Sequence, residues 1–405
     1  MEKKRRIRIV HIVQSPGGVE RYLRALFKYM DHEKFENILI GSYDYAEENY
    51  RGIVDHFSNV DMIRSIQLSK DLKAIVKVRS LLKLYSPDIV YCHSSKAGAI
   101  GRIANIGLHN FCIYNPHGWA FNMGENQMKR WIYAGIEKCL TVSCGTIVCI
   151  SEAEKNSALK KHVCSERKLH VINSGIDFAE YQTGECGITR KQIGIPEDSF
   201  VIGMVGRLSE QKAPDVFVKA AKVIKEKIPQ AFFVMVGDGP EQNEVEQLIN
   251  TYGMKDSFCI TGWVSNPMAY IKLFDIAALL SRWEGFGLVL PEYMLAGKPI
   301  VATQVDAIPY IIADGQNGIL VRQDDYRAAA EKMIELYEKP ELANALRTRA
   351  SAIVRERYDV RRVVREHGEL FEGVVLKQRE IETGITDKFI KKSIFARLRK
   401  KSTGL

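Results

Sequence analysis

The feature that most limits what this chain can fold into is alternation. Short apolar runs rich in branched residues are each followed by a polar or glycine-bearing turn and then by a segment with helical spacing. Residues 8–13 run through Ser15-Pro-Gly-Gly18 into an amphipathic stretch at 19–30, and 88–92, 111–114 and 146–150 repeat the strand-like pattern. Ser151 with Glu154 predicts a capping box at the start of the next helix. Such repeated strand–turn–helix units predict a parallel sheet covered by helices on both faces.

A second series begins after residue 200. Residues 200–205, 231–236, 258–261, 276–280, 299–302 and 318–321 predict strands, with helices near 214–227, 240–252, 287–296 and 325–338 between them. Residues 175–198 hold Gly175, Gly184, Gly187, Gly194 and Pro196 and little periodicity, which marks a linker. The expected organisation is α/β: two doubly wound Rossmann-like domains, 1–185 and 186–365, followed by 366–405 as a closing helix and basic tail. Two such sheets in tandem face each other across a cleft at the carboxyl ends of their strands, where ligands of these folds bind.

Composition removes several classes of function. With 46 % hydrophobic and 26 % charged residues, the chain is neither disordered nor fibrous. No apolar stretch approaches the roughly 18 residues of a membrane span, and no signal-peptide segment follows the basic opening, so a cytoplasmic protein is expected. None of the eight cysteines forms a C-x-x-C pair, which points to buried thiols and no structural metal. The net charge of +9 belongs to the ends: residues 1–8 carry +4 and 388–405 carry +7, leaving the body at −2. A nucleic-acid-binding surface is therefore not expected.

The chemistry concentrates in one segment, Ser281-Arg-Trp-Glu284-Gly-Phe-Gly-Leu-Val-Leu-Pro-Glu292. It reads as a strand end, a glycine turn and a helix start. Gly285 and Gly287 allow close backbone approach, and the helix start offers free N–H groups to an anion. Glu284 and Glu292 beside such a site suit a ligand carrying both phosphate and hydroxyls, as a nucleotide sugar does. A plain helix start with acidic dipole partners would leave the same trace.

The spacing of Glu284 and Glu292 resembles the signature of glycosyltransferase family 4, retaining enzymes of the GT-B fold, and the likeness runs over essentially the whole chain. Residues 8–13 with Gly17-Gly18 resemble its opening strand and glycine loop, and Asn173-Ser-Gly175-Ile-Asp177 the segment closing its first domain. Gly203-Met-Val-Gly206-Arg207 with Lys212 resembles its phosphate-binding pair, and Val236-Gly-Asp-Gly239 and Gly262-Trp263 its strand ends near the base. The resemblance implies that Arg207 and Lys212 hold a donor diphosphate, that Glu284 contacts the transferred sugar, and that Glu292 binds ribose. It further implies backbone contacts from Gly206, Gly237, Gly285, Phe286, Gly287 and Leu288, Trp263 beside the base, Gly17 and Gly18 near the leaving group or acceptor, and His117 as the active-site histidine. Two departures stand out: Ser281-Arg-Trp283 precedes Glu284 where the family often has His or Pro, and Asp306-Ala-Ile-Pro-Tyr310 replaces a Gly-Gly-x-x-Glu. His93-Ser-Ser-Lys96 followed by His117-Gly-Trp119-Ala-Phe121 resembles bacterial capsule, exopolysaccharide and O-antigen transferases. That likeness implies a lipid-linked (undecaprenyl-diphosphate type) saccharide acceptor, with His93, Lys96, Trp119 and Phe121 on the acceptor side.

No Asp-x-Asp stands at a strand end, so Arg207, Lys212 and the helix start are expected to balance the leaving diphosphate without a metal or other cofactor. A uridine donor is expected. A sugar-nucleotide epimerase, or a transferase to a soluble acceptor, stays open beside this reading. A dinucleotide-dependent oxidoreductase fits worse, since Ser15-Pro-Gly-Gly-Val-Glu20 lacks the Gly-x-Gly-x-x-Gly fingerprint. In the tail, Ile390, Ile394 and Leu398 form a helical stripe flanked by Phe389, Phe395 and basic residues. Together with the basic N-terminus it is expected to lie on the anionic inner face of the cell membrane.

Overall fold

The computed structural model describes residues 5–63, 65–122, 126–182 and 187–383. The first domain holds β1 (Ile7–Ile12), β2 (Phe35–Gly41), β3 (His56–Asn59), β4 (Ile89–His93), β5 (Phe111–Asn115), β6 (Thr146–Cys149) and β7 (Leu169–Val171), in the spatial order β3-β2-β1-β4-β5-β6-β7. The second holds β8 (Phe200–Val205), β9 (Ala231–Val236), β10 (Phe258–Ile260), β11 (Ile276–Leu279), β12 (Ile300–Thr303) and β13 (Ile319–Val321), in the order β10-β9-β8-β11-β12-β13. Every strand pairing is parallel, as the alternation requires.

The connecting helices of the first domain are α1 (Gly18–Tyr29), α2 (Leu68–Tyr85), α3 (Ser95–Ala104), α4 (Gln127–Leu140), α5 (Glu152–Lys160) and α6 (Phe178–Gln182). Those of the second are α7 (Pro214–Lys227), α8 (Gln242–Thr251), α9 (Pro267–Ile271), α10 (Val289–Leu295), α11 (Ile308–Ile311), α12 (Tyr326–Glu338) and α13 (Pro340–Arg357), and α14 (Val360–Thr383) follows. One face of the first sheet packs Val10, Ile12 and Val90 against Ala97, Ile100, Ala134 and Ala158 of α3, α4 and α5. Its other face packs Ile9, Leu39 and Tyr91 against Leu23 and Phe27 of α1 and Val363 and Phe371 of α14. Burial on both faces is why these strands read as unbroken apolar runs.

Expected element ends hold to within a few residues. β2, β3 and β7 are additions, and β2 escapes the pattern because Glu36 and Asn37 sit inside it, buried, with Arg8 Nε on Glu36 at 2.8 Å. The capping box forms by half. Ser151 Oγ accepts from the Glu154 N–H at 3.2 Å, but the Glu154 carboxylate turns to the backbone N–H groups of Ile150 and Gly118.

The boundary expected near 185 lies outside the described residues. The chain returns to the first domain at a backbone bridge, Ile176 N–H to Tyr358 O at 2.8 Å and Val360 N–H to Ile176 O at 3.0 Å. The closing helix therefore starts at Val360, ahead of the expected 366, with Asp359 accepting from the Arg361 N–H at 2.8 Å. By Glu372, which meets Lys34 at 3.1 Å just before β2, α14 has reached the sheet edge away from the cleft. Residues 388–405 and their stripe (Phe389, Ile390, Ile394, Phe395, Leu398) lie outside the described residues. The N-terminal arginines that the structure describes are paired at the surface. Arg5 faces Asp88 at 3.2 Å, Arg6 faces Asp55 at 2.8 Å and Arg8 faces Glu36 at 2.8 Å.

Candidate active site

Both sheets have their topological switch points, β1 beside β4 and β8 beside β11, at the same cleft. The cleft is a cavity of about 610 Å³, lined by Gly18, Arg21, Tyr22 and His117 of the first domain and, in the second, by Gly206, Arg207, Lys212, Gly237, Trp263, residues 284–289 and Glu292.

The loops leaving β8 and β11 are stitched together. The Arg282 N–H donates to Gln211 O at 2.8 Å, and Gln211 Nε2 donates to Trp283 O at 3.1 Å. The Arg282 guanidinium holds Asp215 at 2.9 Å and Asp324 at 2.8 Å. This brings the Lys212 ammonium onto the buried Glu284 carboxylate. The Glu284 N–H donates to Asp306 Oδ2 at 2.9 Å, so the residue that replaces the expected Gly-Gly-x-x-Glu braces the Glu284 loop. Gly237 is at φ +137°, and a Cβ there would stand 2.2 Å from Gly206 O, so the two strand ends can meet only through glycine. Gly287, at φ +85°, turns the chain into α10, where the Leu290 N–H donates to Gly287 O at 2.9 Å and Pro291 has no N–H. Arg207 is exposed at the rim and Trp263 is 75 % exposed.

Glu292, on α10, is 1 % exposed, and its Oε1 accepts from Arg21 Nη2 at 2.8 Å and from Tyr181 OH at 2.7 Å. This charge-assisted pair ties α1 to α10 across the cleft. His117 follows β5 at φ +49°, a strained conformation held by its N–H on Asn115 Oδ1 at 3.0 Å and by Glu154 under Gly118. Behind it runs a file of rings: His117 Nε2 to His93 Nδ1 at 3.0 Å, His93 Nε2 to His11 Nδ1 at 3.2 Å, and His11 Nε2 to Asn37 Oδ1 at 3.3 Å. Burial pushes His117 and His11 down to about 3 and holds His93 well below its ordinary value, so all three are neutral near pH 7. With Asn37 Oδ1 accepting, each ring donates from Nε2 and accepts at Nδ1, leaving His117 Nδ1 with a lone pair.

The candidate residues do not all gather here. Gly17 stands one residue outside the cavity lining, while Gly18 is on it. Trp119 and Phe121, expected on the acceptor side, are buried in the core at 1 % and 0 % exposure. Their rings stack at 5.1 Å, with Trp119 Nε1 on Glu154 O at 2.9 Å. His93 is also fully buried, as the middle ring of the file. Lys96 Nζ bonds Asp71 at 2.6 Å and Ser65 O at 3.0 Å, fastening α3 to the start of α2. These four corrections share one cause: the motif residues surround a strand end, and only those on its cleft side reach the cavity. Arg21, Tyr181, Asp306 and Arg282 were passed over, because their partners lie 22 to 271 positions away in sequence.

Among the described residues no helix is long and apolar enough to cross a membrane. Residues 16–180 match the family model described as Glycosyltransferase Family 4, and residues 187–352 the model described as Glycosyl transferases group 1. An Escherichia coli UDP-Gal:alpha-D-GlcNAc-diphosphoundecaprenol alpha-1,3-galactosyltransferase is 30% identical over 79% of this chain and 85% of its own. The capsular polysaccharide biosynthesis glycosyltransferase CapM of Staphylococcus aureus is 24% identical over 84% of this chain and 90% of its own. Among solved structures, Anabaena HepE in complex with UDP and glucose superposes with a TM-score of 0.78 at 22% identity, over 90% of this chain and 99% of that one. That likeness carries the fold, two parallel-sheet domains in the GT-B arrangement. The sequence relatives carry the family: the chain belongs to the family 4 glycosyltransferases, and it is a glycosyltransferase.

Proposed function

We propose that the chain moves a hexosyl or N-acetylhexosaminyl group from a UDP-sugar to a lipid-linked saccharide, with retention, at the inner face of the cell membrane. The observation that carries this reading is the convergence of Arg207, Lys212, the loop 285–288, Glu284 and Glu292 on one cavity between the domains. The two cations suit a diphosphate, and two carboxylates suit sugar and ribose hydroxyls. The E. coli relative's name states a UDP-galactose donor and a diphosphoundecaprenol acceptor, and the Anabaena structure holds UDP, so both support uridine.

In this reading the acceptor oxygen forms a bond to the anomeric carbon as the carbon–phosphate oxygen bond breaks. The acceptor proton passes to the departing diphosphate on the same face. Arg207 and Lys212 balance the charge that develops there, without a metal ion. Donor entry must open the Lys212–Glu284 and Arg21–Glu292 pairs, because the donor's phosphate and ribose claim the same groups. The His117 Nδ1 lone pair is placed to accept a hydrogen bond from a sugar hydroxyl. The test is nucleotide release from UDP-, GDP- and ADP-sugars with and without EDTA. UDP release that survives chelation is expected; release from none of the panel, or loss on chelation restored by Mg²⁺ or Mn²⁺, would overturn the corresponding part.

A further inference from the structure

We propose that the outer faces of α2 and α4 dock the first domain onto an anionic lipid bilayer, at the flank of the cleft. α4 buries Ala134 and Glu137 inward, and its opposite face carries Met128, Trp131, Ile132, Gly135, Ile136 and Cys139, all exposed. Their spacing of three and four residues makes one unbroken stripe along the helix. Trp131 is 66 % exposed, and Val142, just beyond the helix end, is 87 % exposed. α2 repeats the arrangement with Leu68, Leu72 and Val76 outward and Ala74, Val78 and Leu81 inward. The two helices flank α3 in one layer on the same sheet face, and Ile103 and Ile106 are exposed at the end of α3 between them. A soluble monomer seldom leaves two helices of one layer with apolar outer stripes.

The charges name the occupant. Lysines border both stripes: Lys70, Lys73, Lys77 and Lys83 on α2, and Lys138 on α4. The only carboxylates on these helices are engaged, Asp71 by Lys96 at 2.6 Å and Glu137, buried, by Arg102 at 2.7 Å. An apolar stripe with a tryptophan and a one-signed lysine border is the composition of a helix lying in a lipid interface. A second copy of the same surface would set lysines against lysines, whereas an anionic leaflet neutralises them.

Position supports the same occupant. In a parallel layer each helix starts at the edge where the strands end, so Leu68, Leu72, Met128 and Trp131, in the first turns of α2 and α4, belong to the edge of the sheet that also forms the cleft. By contrast, α14 leads away from that edge to Glu372. The purpose of this surface, meeting an acceptor held in the bilayer, rests on the function proposed above; the surface itself does not.

The full-length chain is titrated with vesicles of phosphatidylcholine alone or mixed with phosphatidylglycerol, part of the lipid carrying brominated acyl chains. Binding to the mixed vesicles that weakens with salt is expected, with quenching of fluorescence that Trp131→Phe removes. The combined substitution Leu72→Glu, Ile132→Glu and Ile136→Glu should weaken binding on the order of a hundredfold. It should leave the unfolding midpoint and UDP-sugar hydrolysis in solution unchanged. Removing residues 388–405 should preserve the Trp131 quenching. Quenching that Trp131→Phe does not alter, or a triple variant that binds as tightly as the parent, would overturn the proposal. So would a dimer in sedimentation that the triple variant splits. Loss of hydrolysis in the unsubstituted chain would count against the proposed function and not against this surface.

Discussion

Acid should unfold this protein earlier than its carboxylates alone would require, and His367 gives the means to measure why. Burial pushes His11 and His117 down to about 3 and His367 to about 4, while the unfolded rings titrate near about 6.5. The unfolded state therefore binds more protons as pH falls through that value, and stability is lost. At about pH 5 each unfolded ring gains about 2 kcal/mol from protonation, so these three withdraw about 6 kcal/mol relative to about pH 7.5. Glu154 opposes them. Burial pushes it up to about 8, so the folded chain holds its proton more tightly and returns about 3 kcal/mol over the same interval. Among these four groups the histidines win by about 3 kcal/mol, a large share of the about 5–15 kcal/mol that keeps a typical domain folded, and His93, which burial also holds well below its ordinary value, acts in the same direction.

His367→Phe separates the two effects. The ring keeps its neighbours, Tyr91 at 5.9 Å and Phe371 at 5.8 Å between centroids. It loses the hydrogen bonds of Nε2 with Tyr22 OH at 2.7 Å and Tyr91 OH at 3.1 Å. The variant should be about 1–2 kcal/mol less stable near neutrality but lose about 2 kcal/mol less on acidification. Urea unfolding followed by tryptophan fluorescence across that pH range reads both. Parallel pH profiles for the parent and His367→Phe would refute the account of buried neutral rings.

Lys212→Ala and Arg207→Ala should each slow sugar transfer on the order of 10²–10³-fold, and Glu284→Ala should abolish it with the fold intact; initial rates and circular dichroism check both. Arg282→Ala should reduce kcat about tenfold while leaving the donor KM within about twofold, because it loosens the loops that hold Lys212 against Glu284. Trp119→Ala should cost about 3–5 kcal/mol of stability, so thermal unfolding, not the acceptor KM, is where it shows.

The two-domain parallel architecture was legible in the chain before any contact was known. A strand covered on both faces has to be apolar along its length, so β8, β9, β11 and β12 announce themselves without reference to anything distant. The segment from Glu284 to Glu292 was legible too, since a glycine turn between a strand and a helix start is a local device. What stayed hidden was local in another sense: β2 buries Glu36 and Asn37, and their partners Arg8 and His11 belong to another strand.

Which side of a strand end faces the cleft was settled by packing. Trp119 and His117 are two residues apart, yet one packs in the core and the other lines the cavity, because the left-handed turn at His117 and the Glu154 carboxylate fix the path between them. Packing likewise decided the pairings of Lys212 with Glu284 and of Arg21 with Glu292, which join residues 72 and 271 positions apart. Spacing along a chain sets the face of one element; long-range pairing of charges depends on how whole elements dock, and that is settled by the packing of both cores together.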